Sequence, residues 1–125
     1  MEFNQLSEKV LGCAFKVHTA LGPGLLESAY QACLAYELRQ CGLFVEQEKA
    51  VPLVYEEVKL DCGYRIDLLV ERKFVLELKA VDQLAPIHLA QVLTYLKLMN
   101  LRHGMLLNFN VKSLKNGIKR VVNGY

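Results

Sequence analysis

Apart from the charged residues 71–73, three charged side chains, Asp67, Glu77 and Lys79, interrupt the largely apolar sequence DLLVERKFVLELKAV, which spans residues 67–81. Successive side chains of a β-strand point to opposite faces of the sheet, so charge is ordinarily confined to a solvated face. Carboxylate oxygens are also the ligands that Mg²⁺ prefers in proteins, and a lysine can act on a phosphate. The segment is therefore either the wet face of a hairpin or part of a chemical site.

The positions in this segment separate into two sets. The even positions after Gly63, apart from Tyr64 and Arg72, are all apolar and predict a face packed against a core. They are Ile66, Leu68, Val70, Phe74, Leu76, Leu78 and Ala80. The three charged residues occupy odd positions, so we expect them on the opposite face.

The turn of this hairpin decides whether the two carboxylates meet. With a three-residue turn at 71–73, Val70 pairs with Phe74 and Asp67 lies opposite Glu77, with Cβ atoms about 4.5–5.5 Å apart. A two-residue turn would place the two acids on opposite faces unless a bulge restored the phase. Like charges at that distance destabilise a sheet unless a cation lies between them.

Two interpretations of the pair remain open at this point. Lys79 neutralises the carboxylates as an ordinary ion pair, or Asp67 and Glu77 bind a divalent metal ion. In the second case the backbone carbonyl of Leu78 supplies a further oxygen, and Lys79 is directed at a phosphate or an attacking water.

Hydrophobic periodicity predicts the elements that must position these residues. Helices are expected at 5–20, 25–40 and 83–100, with the sequence GPG at 22–24 separating the first two. Strands are expected at 44–49, 51–56, 58–61, 63–70, 74–80, 104–109 and 118–122. The order α-α-β-β-β-β-β-α-β-β predicts an α/β fold, with one domain over residues 1–125 and a mixed central sheet flanked by helices.

Two stretches carry a resemblance to a known superfamily. The sequence GYRID followed by VLELKA resembles the core motif of the PD-(D/E)xK nucleases, in the form Asp67-x9-Glu77-x-Lys79. The sequence GLLESAY (24–30) is similar to the signature of the GxxExxY family, which is generally placed in that superfamily. The resemblance implies a restriction-endonuclease-like core and a third metal-binding carboxylate, Glu27, with Tyr30 beside it as a substrate contact. Without the hairpin, Glu27 would be interpreted as an acid stabilising a helix N-terminus.

A further helical stretch, HLAQVLTYL (88–96), carries His88, Gln91 and Tyr95 as a polar stripe on an otherwise apolar helix. The Gln-x-x-x-Tyr spacing resembles an additional motif of RecB-type nucleases. It implies that Gln91 and Tyr95 line the site and orient the substrate strand. His88 is expected to be structural.

Charge is distributed unevenly along the chain. All 13 acids lie in residues 1–82, whereas residues 83–125 carry six bases and no acid. Such a segment suits a polyanionic partner, although its cations could equally pair with acids from the first part of the chain. No apolar run reaches the roughly 18 residues of a membrane span. The polar N-terminus differs from a signal peptide. We therefore expect a cytoplasmic protein with no membrane contact.

These observations predict a metal-dependent nuclease that uses Mg²⁺ or Mn²⁺ and acts on nucleic acid, with DNA favoured over RNA. Asp67, Glu77, Lys79 and Glu27 are its predicted catalytic residues. The alternative is a catalytically silent module of the same fold that binds nucleic acid or a protein partner. A homodimer is compatible with both.

Overall fold

A computed structural model of the protein describes residues 1–124 and contains three α-helices, a short 3-10 helix (Leu114–Gly117), a five-stranded sheet and a separate two-stranded hairpin. The helices are α1 (Phe3–Leu21), α2 (Glu27–Gln40) and α3 (Pro86–Met99). The strands are β1 (Val45–Ala50), β2 (Leu53–Tyr55), β3 (Val58–Leu60), β4 (Arg65–Val70), β5 (Phe74–Lys79), β6 (His103–Asn108) and β7 (Ile118–Val122). Each predicted element is present. Within residues 1–124, no helix has the length and apolar character needed to cross a membrane.

The main sheet has the strand order β1-β4-β5-β6-β7. Its only parallel pair is β5 with β6, and the other neighbours are antiparallel. The predicted mixed sheet flanked by helices is therefore confirmed. The short strands β2 and β3 pair only with each other and form a hairpin outside this sheet.

The sheet separates two apolar cores. One lies between the sheet and helices α1 and α2, and it contains every even position of the hairpin named above except Ile66. The other lies between the sheet and α3. The prediction for Ile66 was wrong, because Ile66 packs in the core beside α3. The alternation of side chains along β4 therefore shifts by one residue between Ile66 and Leu68, and Asp67 occupies the shift.

The sequence GPG separates α1 from α2 as predicted. Helix α1 buries Leu6, Val10 and Ala14 at the spacing of one helical face. It ends at Gly22, whose positive φ of 68° is readily adopted by glycine and whose N–H donates to the carbonyl of His18 at 2.7 Å. Helix α2 starts at Glu27, so the loop fixes where this acid enters the structure.

The β4–β5 turn takes three residues, and Val70 pairs with Phe74 as predicted. Glu71 and Arg72 have positive φ values of 53° and 58°, which cost side-chain-bearing residues about 1–2 kcal/mol each. Phe44 offsets this cost. Its backbone exchanges hydrogen bonds with the Glu71 backbone N–H at 2.8 Å and the Glu71 carboxylate at 2.6 Å, and the Arg72 guanidinium lies 4.9 Å above its ring. These contacts of Phe44 fix the register of the β4–β5 hairpin, which carries Asp67 and Glu77.

A second connection stabilises the chain beyond β5. Asn108, at the end of β6, is almost fully buried, and its side-chain amide donates to the carbonyl of Val81 at 2.9 Å and accepts from the Val81 N–H at 3.1 Å. Gly117 packs so closely against the carbonyl of Asn108 that a Cβ atom there would collide with the carbonyl oxygen. The absence of a side chain at Gly117 is thus needed for this contact.

Replacing Gly117 with alanine should destabilise the fold by about 1–3 kcal/mol, because backbone must move to admit the methyl group. Gly12→Ala is the matched control, since Gly12 lies inside α1 with open space around its Cβ position. Alanine is the better helix former by about 1 kcal/mol, so Gly12→Ala should be neutral or stabilising. Urea unfolding measures both, and equal stability of the two variants would contradict the close contact at Gly117.

Candidate functional site

The site is centred where β4 and β5 separate. Their paired residues end at Leu68 and Leu76, and beyond this point side chains replace backbone partners. The backbone N–H of Asp67 donates to Oε2 of Glu77 at 2.7 Å, and the N–H of Leu78 donates to Oδ2 of Asp67 at 2.8 Å. The two predicted carboxylates are therefore brought together across the hairpin, where each satisfies an amide of the opposite strand.

The backbone carbonyl of Leu78 faces the gap between β4 and β5 that opens where the two strands separate. In a strand, the N–H and C=O of one residue point to the same neighbouring strand. Because the Leu78 N–H reaches Asp67, the Leu78 carbonyl oxygen also faces the gap. This oxygen can join the two carboxylates as a third donor to a cation.

Burial governs the charge state of the two acids. Glu77 is 4% exposed, and burial raises its pKa to about 8, with the charge of Asp67 adding to the effect. Burial also raises the pKa of Asp67 to about 6, and the nearby Glu48 and Glu27 act in the same direction. The hydrogen bonds from the backbone and the charge of Lys79 oppose both increases. At neutral pH the Asp67–Glu77 pair therefore tends to bind a proton, which a bound cation would replace.

Glu48 is a neighbouring carboxylate that the sequence analysis missed. It lies opposite Asp67 in the β1–β4 register, between the pairs Gln47–Leu68 and Lys49–Ile66. Its φ is 52°, so the backbone of β1 is irregular beside the shift in β4. Its carboxylate accepts a hydrogen bond from the side chain of Gln31 at 2.8 Å. Only the pairing of β1 with β4 reveals this proximity.

Glu27 and Lys79 reach the same end of the sheet. Oε2 of Glu27 accepts from the Ala80 N–H at 3.4 Å, so the start of α2 contacts the end of β5. Lys79 lines a cleft of about 510 Å³. The structure thus brings the four predicted catalytic residues to one end of the sheet, where Lys79 lines the cleft.

Gln91 and Tyr95 line the same cleft as Lys79. Tyr95 is largely buried, and its pKa is raised by burial and by the negative charge of Glu77 and Asp67. His88 also lines the cleft, and its Nδ1 accepts from the Ala85 N–H at 3.0 Å at the start of α3. Gln91 and Tyr95 therefore share the cleft with Lys79, and Tyr95 is also close enough to Glu77 and Asp67 to sense their charge.

The prediction that Tyr30 contacts the substrate was wrong for this structure. Tyr30 is fully buried and stacks on Phe109, with ring centroids 4.6 Å apart. Its hydroxyl donates to the carbonyl of Gly22 at 2.6 Å and accepts from the Leu25 N–H at 3.1 Å. Tyr30 therefore holds the loop that leads into Glu27 and has no surface to offer a substrate.

The donor set fits a hard divalent cation. Among residues 1–124, no group of three or more His, Cys, Asp or Glu side chains has a geometry that would hold a metal ion. One oxygen of each carboxylate, Oδ2 of Asp67 and Oε2 of Glu77, accepts from a backbone amide. Mg²⁺ commonly binds through one or two carboxylates, with water and phosphate oxygens completing its shell, so these two residues and the Leu78 carbonyl suffice.

Protein stability in the absence of divalent cations should fall as the pH rises from about 5 to about 8. The Glu77 carboxyl ionises near pH 4.5 in the unfolded chain and near pH 8 in the folded one, so the folded state binds more protons across this range. Urea unfolding at several pH values measures the slope. Glu77→Gln should flatten it, whereas Glu8→Gln, at an exposed position on α1, should not. An identical slope in all three proteins would show that Glu77 is not responsible.

Tyr30→Phe should destabilise the protein by about 1–3 kcal/mol, because two backbone groups of the 22–26 loop lose their partner. Tyr36→Phe provides the control, since Tyr36 is exposed on α2 and its replacement should change stability by less than about 0.5 kcal/mol. Thermal and urea unfolding report the difference. Equal stability of the two variants would contradict the role given to the Tyr30 hydroxyl.

Comparison with known families is consistent with this geometry. A family model described as the PD-(D/E)XK nuclease superfamily matches residues 4–121, which is nearly the whole chain. Comparisons with curated proteins and with solved structures return no match. The mixed five-stranded sheet and three helices agree with the fold of that superfamily, whose nucleases generally use divalent metals. The chain therefore belongs to the PD-(D/E)XK nuclease superfamily.

Proposed function

We propose that the protein hydrolyses phosphodiester bonds in nucleic acid with the help of Mg²⁺ or Mn²⁺. One observation carries the proposal: the carboxylates of Asp67 and Glu77 meet in a buried gap of the sheet, beside Lys79 and an open cleft. Membership of a nuclease superfamily supports it. The proposal extends to the GxxExxY family, whose signature the sequence resembles at 24–30.

Asp67, Glu77 and the Leu78 carbonyl would hold the ion, and Glu27 would contribute directly or through a water molecule. A divalent ion bound there supplies a water of lowered pKa and polarises a phosphoryl oxygen. Both carboxyl groups must be ionised to bind a cation, so binding should weaken at low pH. The raised pKa of Glu77 makes this dependence extend toward neutral pH.

The remaining residues act on the substrate. The Lys79 ammonium group would stabilise negative charge that develops on the phosphate or orient the attacking water. Gln91 and Tyr95 would position the strand in the cleft. Lys112 and Lys115 are exposed in the segment that follows β6. Strand β6 ends at the same end of the sheet as Lys79. These two cations would therefore contact the phosphate backbone. Arg102 precedes β6 and therefore lies at the opposite end of the sheet. The six bases of residues 83–125 thus do not form one surface.

DNA as the preferred substrate, a cytoplasmic location and a homodimeric state are further parts of this proposal. They derive from the resemblance and the composition of the chain. A second candidate, the catalytically silent binding module, is favoured by the backbone hydrogen bonds that already occupy both carboxylates.

Cleavage assays separate the two candidates. Labelled single-stranded and duplex DNA and RNA are incubated with the protein and Mg²⁺ or Mn²⁺, with EDTA as the metal-free control. Asp67→Asn and Glu77→Gln keep side-chain shape but remove charge, and we expect them to abolish cleavage. Lys79→Ala should lower the rate by about 10²–10³-fold. Glu8→Gln, remote on α1, should cleave like the unmodified protein.

Calorimetry with Mn²⁺ provides the second measurement. The unmodified protein should bind the ion, and Asp67→Asn should bind it much more weakly. Cleavage that persists unchanged in both Asp67→Asn and Glu77→Gln would refute this active site. Nucleic-acid binding with neither metal binding nor cleavage would establish the silent module instead.

A further inference from the structure

The cleft beside Lys79 has a chemical character that phosphate binding alone does not explain. Its walls are mainly apolar and aromatic, formed by Leu53, Tyr64, Ile87, Tyr95 and Leu98. They come from β2, from the residue before β4 and from α3. Among the described residues that form the lining, Lys79 is the only Lys or Arg. A groove that followed a phosphate backbone would need more positive charge along its length.

One aromatic ring in the cleft, that of Tyr64, is accessible, whereas Tyr95 is only 4% exposed. Tyr64 is 44% exposed although it precedes a buried strand. Its ring centroid is 6.3 Å from that of Tyr95, and the ring planes are inclined by 58°, so the two rings are not stacked face to face. Ile87 adds a side chain that is 68% exposed. An apolar surface of this kind, continuous with a charged site, suits a flat and partly apolar ligand.

We propose that this cleft receives one unpaired nucleobase of the substrate strand, so that the protein acts on single-stranded or locally unpaired nucleic acid. The inference rests on the proposed function, because Lys79 connects the cleft to the carboxylates that would face the scissile phosphate. Stacking on Tyr64 would bind the base without strong sequence preference. The Gln91 amide offers both a donor and an acceptor to a base edge.

The size and apolar lining of the cleft favour an unpaired base over a duplex. A volume of about 510 Å³ falls within the range that holds small organic ligands, and it accommodates a base with its sugar. In a duplex the faces of the bases are stacked on their neighbours, and the grooves present edges, sugars and phosphates. An apolar cleft therefore gains nothing from an intact duplex and gains a stacking contact from an unpaired base.

Binding is measured by fluorescence anisotropy in EDTA, where no metal-dependent cleavage occurs. The probe is a short single-stranded DNA, compared with the duplex of the same sequence and with a strand that has one abasic position. The single strand should bind more tightly than the duplex. Loss of the stacked base should weaken binding by about tenfold, and Tyr64→Leu should have a similar effect.

A double-mutant cycle links the base to the residue. If the base stacks on Tyr64, removing the base should have no further effect once Tyr64 is replaced. The Tyr64→Leu variant should therefore bind the intact and the abasic strand with equal affinity. Thr94→Trp, which fills the cleft from an exposed position of α3, should weaken binding of the intact strand. The controls are Tyr36→Leu on α2 and Thr19→Trp on α1, both at exposed positions outside the cleft, and both should bind normally.

The outcomes distinguish this inference from the proposed hydrolysis. Equal affinity for single strand and duplex, or additive effects of Tyr64→Leu and the abasic position, would overturn the base-binding cleft even if cleavage occurs. A coupled cycle in a protein that never cleaves would support the cleft and remove the hydrolytic function. Circular dichroism of each variant verifies that the fold is retained.

Discussion

The separation of β4 from β5 is the constraint on which the site depends. Where two neighbouring strands diverge inside a protein, their amides lose ladder partners, and a buried N–H without a partner costs free energy. Asp67 and Glu77 solve this problem reciprocally, because each carboxylate accepts from an amide of the opposite strand. The gap exists because side chains, and not backbone carbonyls, complete the hydrogen bonding there.

This arrangement gives the same two carboxylates two uses. One oxygen of each satisfies a backbone amide, and the same groups would bind a cation. Burial penalises their negative charge and raises the pKa of both acids, which makes a doubly charged partner favourable. Stability and function are therefore coupled at these residues, and any replacement that shortens the side chain affects both. Replacements of equal shape separate loss of charge from loss of hydrogen bonding.

Much of the fold follows from local patterns. The period of hydrophobic residues identified the helices and strands, the register Val70–Phe74 followed from a three-residue turn, and the alternation of apolar positions identified most of one core. Ile66 and Tyr30 could not be placed correctly. The shift in β4 at Asp67 depends on tertiary hydrogen bonds, and the burial of Tyr30 depends on Phe109 and on a loop carbonyl. The proximity of Glu48 to Asp67 likewise arises from a long-range strand pairing.

The β2–β3 hairpin has a consequence for how ligands enter. Each strand has three residues, the pair is outside the main sheet, and Val54, Tyr55 and Val58 are exposed. A short hairpin with little buried surface is among the parts of a protein that unfold locally at the lowest free-energy cost, without unfolding of the core. Leu53 of β2 lines the cleft, so one wall of the cleft belongs to this weakly buried hairpin. Helix α3 forms another wall, and it packs in the second apolar core. We expect local opening of this hairpin to change the width of the cleft without unfolding the main sheet.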